Sequence, residues 1–132
     1  MSWFVDASAV VAILAREPDW EIYADRADEE AELLWSPLSR WESIAGFRRQ
    51  RGVTVEEASY TVTRFGEENG LTMVSIGGRE AELAVDALAR YGRGSGSPAK
   101  LNMGDCFAYA CARANNARLL YKGDDFALTD LA

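Results

Sequence analysis

The chain has no histidine among its 132 residues, only two cysteines and only three prolines. The first absence removes a histidine-dependent triad, and with no cysteine cluster to replace it there is no structural zinc site. Cys106 and Cys111 lie five positions apart on one expected helix, where their side chains point away from each other and cannot bridge. They read as small buried apolar residues in a reducing compartment. No apolar run approaches the ~20 residues of a bilayer span, and the N-terminal stretch lacks the basic and then apolar pattern of a signal peptide. A cytoplasmic location with no membrane partner is therefore expected. Any metal held by this chain must be bound through oxygen, which selects hard ions such as Mg²⁺ or Mn²⁺.

What is present is the composition of an ordinary folded domain, 48% hydrophobic and 27% charged. A chain of this length forms one domain over residues 1–132 and buries roughly two thirds of the surface its unfolded form exposes. The net charge of −7 is local: nine acids against Arg16 and Arg26 in residues 1–35 account for all of it, and residues 36–132 are balanced. Within that second segment Arg48, Arg49 and Arg51 form the densest basic cluster. Once its acids are neutralised by a cation, the segment suits a transient polyanionic substrate, though not tight general DNA binding.

Trp3-Phe4-Val5 is a run of strand formers that stops at Asp6, and the all-apolar helix Ala7–Leu14 follows at once. Asp19 through Glu32 reads as a second, heavily acidic helix whose polar face is solvated or meets a partner. Leu33-Leu34-Trp35 is the second strand, and Ser36-Pro37 starts a helix that runs past Arg48 to Gly52. A helix on Val55, Ala58, Val62 and Phe65 leads to a third strand at Leu71–Val74. Another follows on Ala81, Ala84, Val85, Leu88 and Tyr91, and both stripes are assigned to packing. After the flexible loop Gly92–Pro98, Asn102 caps a helix with Met103, Phe107, Ala110, Cys111 and Ala114 on its apolar side. Arg118–Tyr121 is the fourth strand. Strands alternating with helices imply an α/β fold, a three-layer α/β/α sandwich around a mostly parallel sheet of four to five strands.

Four carboxylates fall where such a fold could gather them. Asp6 closes the first strand, Glu42 interrupts a face of Leu38, Ala45 and Gly46, Asp105 opens the capped helix, and Asp125 follows the last strand. Each has a structural alternative that the sequence leaves open: Asp6 as an N-cap and Asp105 as the acid of a capping box with Asn102. Glu42 is harder to explain, because an acid on a small apolar face is costly to bury without a cation or a donor. Together the four cannot all stay ionised unless a divalent cation relieves their repulsion. Acids alone suffice for metal-assisted hydrolysis of a phosphodiester, in which the ions lower the pKa of the attacking water and stabilise the leaving oxygen. Asp6 and Asp105 are the expected main ligands, Glu42 and Asp125 complete the set, and Ser8 orients a water or a carboxylate.

The opening Phe4-Val5-Asp6-Ala7-Ser8-Ala9 and the Ser39-x-x-Glu42 element resemble PIN-domain ribonucleases, specifically the VapC-type toxins of toxin–antitoxin pairs. So do Leu101-Asn102-x-Gly104-Asp105-Cys106-Phe107 and the ending Leu119 to Phe126 with Thr129-Asp130. The resemblance spans nearly the whole chain in order and implies a single PIN-like domain. It implies a Mg²⁺- or Mn²⁺-dependent endoribonuclease acting on tRNA or rRNA, a homodimer, and a VapB-type antitoxin whose C-terminal segment covers the site. The family's acids fall on Asp6, Glu42, Asp105 and Asp125, with Asp124 the adjacent alternative to Asp125. A dehalogenase-type phosphatase would need Asp-x-Asp where this chain has Asp6-Ala7-Ser8, and a phospho-receiver would need paired acids at the first strand, so only Lys122 fits it. A catalytically inactive metal-binding module shares the same acids.

Overall fold

The computed structural model describes residues 1–30 and 32–132. Four short strands, β1 (Ser2–Val5), β2 (Glu32–Trp35), β3 (Leu71–Met73) and β4 (Arg118–Leu120), form one sheet in the order β3-β2-β1-β4. All three neighbouring pairs are parallel, with Phe4 opposite both Leu34 and Leu119. Parallel pairing requires a crossover between strands, and six helices supply them. They are α1 (Ala7–Leu14), α2 (Trp20–Asp28), α3 (Pro37–Arg51), α4 (Val55–Glu68), α5 (Gly78–Tyr91) and α6 (Met103–Ala114).

Alternation along the strands sorts the core into two sides. Phe4, Leu34 and Leu119 face α5 and α6, packing with Leu101, Tyr109, Cys111 and Phe126. Trp3, Val5, Leu33 and Leu120 face the other way onto α1 and Tyr23 of α2, and Trp35 packs with Phe47 and Val62 of α3 and α4. Helices therefore cover both faces, as the expected α/β/α sandwich requires. Gly66 lets α4 lie directly on the Trp35 ring, where an added Cβ would stand 2.5 Å from a ring carbon. Both cysteines are buried and free. Among the described residues no helix is long and apolar enough to cross a membrane.

The chain departs from the sequence expectation in two places. The acidic helix expected over 19–32 ends at Asp28, and Glu32 instead opens β2 opposite Ser2; residue 31 lies outside the described residues. Trp3 Nε1 donates to the Arg26 carbonyl at 2.9 Å, tying the last turn of α2 to the sheet, and the ladder claims the residues beyond. Several side chains assigned to packing are exposed instead: Val55, Val85, Leu88 and Met103. A wide apolar stripe overestimates burial when only its centre meets another layer.

The strand order sets the position of the site. From β1 the chain moves outward through β2 to β3, then returns to place β4 on the other side of β1. The direction of winding thus switches between β1 and β4, and in open parallel sheets the crevice beyond that switch point is where ligands bind. Asp6 N–H donates to the Leu120 carbonyl at 2.9 Å, so the two strand ends are held together there.

Candidate active site

A cleft of about 650 Å³ opens at that switch point, lined by Asp6, Ser8, Glu17, Glu42, Gly46, Arg49, Gln50, Asp105 and Lys122 among others. Asp6 leaves the end of β1 and is the N-cap of α1, accepting from the Ser8 amide at 3.0 Å and from the Ser8 hydroxyl at 2.5 Å. Ser8 Oγ in turn accepts from the Lys122 amide at 2.9 Å. A continuous relay therefore runs from the loop after β4 through Ser8 to the carboxylate, fixing its rotamer. Asp6 is only 7% exposed. Burial raises its pKa; the Ser8 bonds oppose this and the negative charge of Asp125 adds to it.

Glu42 arrives on α3, whose start is fixed by a capping box between Ser36 and Ser39 with Pro37 in the first turn. Its carboxylate lies over the Cα of Gly104 on α6, so closely that a Cβ on Gly104 would sit 1.9 Å from Glu42 Oε2. Burial, then the charges of Asp6 and Asp105, push its pKa up to about 7. Among the described residues no side chain forms a salt bridge with Glu42.

Asp105 completes the capping box with Asn102: its Oδ2 accepts from the Asn102 amide at 3.1 Å, and its own amide donates to Asn102 Oδ1 at 2.9 Å. The structural and site readings of Asp105 are thus compatible, because one oxygen serves the cap and the other remains. Burial raises its pKa to about 6, with the Asn102 amide and Arg93 opposing and the charges of Asp6 and Asp125 adding. Asp125, exposed in the turn after β4, is the member of the 124–125 pair whose charge bears on both Asp6 and Asp105. Asp124 is exposed beside it.

Three placements at the cleft are absent from the sequence reading, which had Arg49 only as part of a basic cluster. Arg49 and Gln50 continue the wall formed by Glu42 and Gly46, both about two helical turns beyond Glu42 along α3. Lys122 is neutralised by Glu17 and by Asp19, the latter at 2.9 Å, and these pairs hold its ammonium well above the ordinary lysine range. Gly104 is the floor under Glu42. Only the α3 stripe had a sequence signal, in its i, i+4, i+7 and i+8 spacing.

The residues fit a hard divalent cation by their chemistry. Among the described residues the side chains lining the cleft that can ligate a metal are carboxylates, Ser8 and Gln50, all oxygen donors. Three of the carboxylates have pKa values raised first by burial and then by neighbouring negative charge, which a cation would offset. Among the described residues they line the cleft without closing three donors around one point, so a cation would draw them together.

The raised values also govern stability. Between the ordinary carboxyl range and about pH 7, the folded protein binds more protons than the unfolded chain at Glu42 and Asp105. Stability of the metal-free protein therefore falls as pH rises through that window. Thermal melts in chelator should show a higher Tm near pH 5 than at pH 7.5. Glu42→Gln should flatten the fall and stabilise the metal-free protein at pH 7.5 by about 2 kcal/mol, after allowance for partial exposure. A Tm in chelator that rises steadily from pH 5 to 7.5 would contradict the assigned field.

Comparison with known proteins agrees with this geometry. The PIN domain model matches residues 3–131. A VapC ribonuclease of Rhizobium meliloti (strain 1021) is 41% identical, over 97% of this chain and 98% of that protein. Ribonuclease VapC42 of Mycobacterium tuberculosis (strain ATCC 25618 / H37Rv) is 34% identical, over 96% and 95%. Among solved structures, the VapC20 toxin of Mycobacterium tuberculosis, described as cleaving the sarcin–ricin loop, superposes with a TM-score of 0.73. That alignment covers 95% of this chain and 92% of the other at 16% identity, and so speaks to the fold. An α/β/α sandwich with acids gathered at the end of its first strand and a full-length match at this identity lead to one conclusion: the chain belongs to the PIN-domain family, in its VapC ribonuclease group.

Proposed function

We propose that this protein is the toxin of a toxin–antitoxin pair, an endoribonuclease that hydrolyses RNA phosphodiester bonds with Mg²⁺ or Mn²⁺. The observation that carries the reading is the convergence of Asp6, Glu42 and Asp105 on one cleft that also contains Arg49. In it Asp6 and Asp105 are the main metal ligands, and Glu42 and Asp125 complete the set. When bound, a divalent cation lowers the pKa of an attacking water and offsets the charge that develops on the phosphodiester.

The protein's own contribution is placement. Ser8 and the Lys122 amide hold Asp6 in one rotamer, the Asn102 cap does the same for Asp105, and Gly104 admits Glu42 to the floor of the cleft. Arg49 offers a cation to the phosphate of an incoming strand, which an acidic site would otherwise repel. The substrate in this reading is structured RNA such as tRNA or rRNA. The partner is a VapB-type antitoxin whose C-terminal segment covers the cleft, and the active form is a cytoplasmic homodimer. The VapC ribonuclease names of the relatives support the RNA substrate and the antitoxin partner.

The test is incubation of the purified protein with total RNA in Mg²⁺, in Mn²⁺ and in chelator. Cleavage in either metal that stops in chelator and returns on adding metal back is expected. Equal cleavage in chelator, or phosphate release from small esters with no RNA cut in either metal, would overturn the proposal.

A further inference from the structure

The chain has four tryptophans, and three are accounted for by the fold. Trp3 is buried under the Arg118 guanidinium at 3.9 Å, Trp20 is covered by Arg16 at 3.9 Å, and Trp35 lies in the core. Trp41 is 65% exposed, and among the described residues no ring or guanidinium stacks on it. Burying that ring would stabilise by roughly 25 cal/mol per Å² of apolar surface covered, so it is available to a partner.

Its position suggests which partner. Trp41 precedes Glu42, and Met103, 67% exposed, precedes Gly104, the residue on which the Glu42 carboxylate rests. The two are therefore each one residue away from the point where α3 meets the start of α6, beside the cleft and not among the residues that line it. Seven residues along α3, almost in line with Trp41 and about 10 Å away, is Arg48, with Arg49 beside it in the cleft wall. Arg48, Arg49 and Arg51 are exposed and form no ion pair among the described residues; Arg16, Arg26, Arg40, Arg79 and Arg93 form none there either, and what sets the three apart is their clustering on one helix end. An unstacked indole, a carboxylate cleft and unpaired guanidiniums along one helix match the alternation of base and phosphate in a single strand. Aromatic faces that stack bases and cations that track the backbone are the recurring elements of single-strand recognition.

We propose that Trp41 is a base-stacking residue, which holds an unpaired nucleotide next to the scissile phosphate while Arg48 and Arg49 take a phosphate further along the strand. The nucleotide held there is unpaired, since a paired base has no free face to offer. This rests on the ribonuclease reading above and adds to it a residue that positions the strand.

The test uses the full-length protein in Ca²⁺, with a random-sequence 15-nucleotide RNA, a duplex of the same length and inorganic polyphosphate, which has phosphates but no bases. Titration with the single strand should quench tryptophan fluorescence, and Trp41→Ala should lose both that quenching and about tenfold in affinity. Affinity for polyphosphate should be unchanged, and Trp41→Phe should restore most of the RNA affinity. Equal RNA affinity in wild type and Trp41→Ala would overturn the proposal, as would an equal loss for polyphosphate. So would conversion of a dimer to a monomer by Trp41→Ala with RNA binding intact, which would assign the indole to a protein contact. Failure of the wild type to bind any RNA, even at low salt, would instead sink the ribonuclease reading, and this inference with it.

Discussion

Asp105→Asn is expected to lower metal-dependent RNA cleavage by at least about 100-fold while leaving the fold intact. The two effects separate because the residue does two jobs with one side chain. Its Oδ2 accepts from the Asn102 amide in the capping box, and an asparagine oxygen can accept the same bond. Helix α6, which packs Tyr109, Ala110 and Cys111 into the core, should start where it does now. What asparagine cannot supply is the negative charge, and losing a charged donor from a catalytic metal site removes several kcal/mol of transition-state stabilisation. Removing an acid that burial has already made costly should also slightly stabilise the metal-free protein at neutral pH. Cleavage assays paired with thermal melts in chelator check both halves. Full activity in Asp105→Asn would remove Asp105 from the reaction, and an unfolded variant would show that its charge matters to the fold.

Gly104→Ala should separate stability from activity in the opposite residue of the same contact. The new methyl would fall 1.9 Å from Oε2, 2.7 Å from Cδ and 2.9 Å from Oε1 of Glu42, all shorter than a van der Waals contact. The atoms in conflict are the far end of a flexible side chain, so the clash is resolved by moving Glu42 rather than by breaking α6. Alanine is also the better helix former, by up to about 1 kcal/mol. The melt of the metal-free variant should therefore hold steady or rise. The carboxylate, displaced by roughly 1.5 Å to reach normal contact, would leave the place from which it could help Asp6 and Asp105 hold a cation, and misplacement on that scale costs about 100-fold in rate. A variant with wild-type cleavage would show that Glu42 works from another position, or not at all.

The fold was legible from the sequence because its signals are local. Short apolar runs end at Asp6 and at Ser36-Pro37, Asn69-Gly70 closes a helix just before the third run, and helical spacing fills the intervals, so strand–helix alternation follows directly. Asp6, Glu42 and Asp105 were legible as candidates because each breaks an apolar pattern or sits at a helix start, and the structure places all three on one cleft. What the sequence could not express was contact between distant segments. Nothing in the order of residues says that Gly104 lies under Glu42, or that the Lys122 amide reaches Ser8 across 114 positions. The acidic stretch 19–32 was legible only in part for the same reason. Glu21, Asp25, Asp28 and Glu29 are exposed as a solvated face would be, whereas Asp19 pairs with Lys122 and Glu30 with Arg118, partners far away in sequence. Where the acidic helix stops was likewise decided by sheet pairing, which local propensity does not record.

The bond from Lys122 to Ser8 bears on the order of events during synthesis. Until β4 has emerged from the ribosome and docked beside β1, the Asp6 side chain lacks the relay that holds it, although every other acid but Asp125 has already been made. A partly translated chain consequently holds its first acid unfixed. The cleft takes its final form only once the last strand has closed beside the first, so the acid made earliest is the one set in place latest.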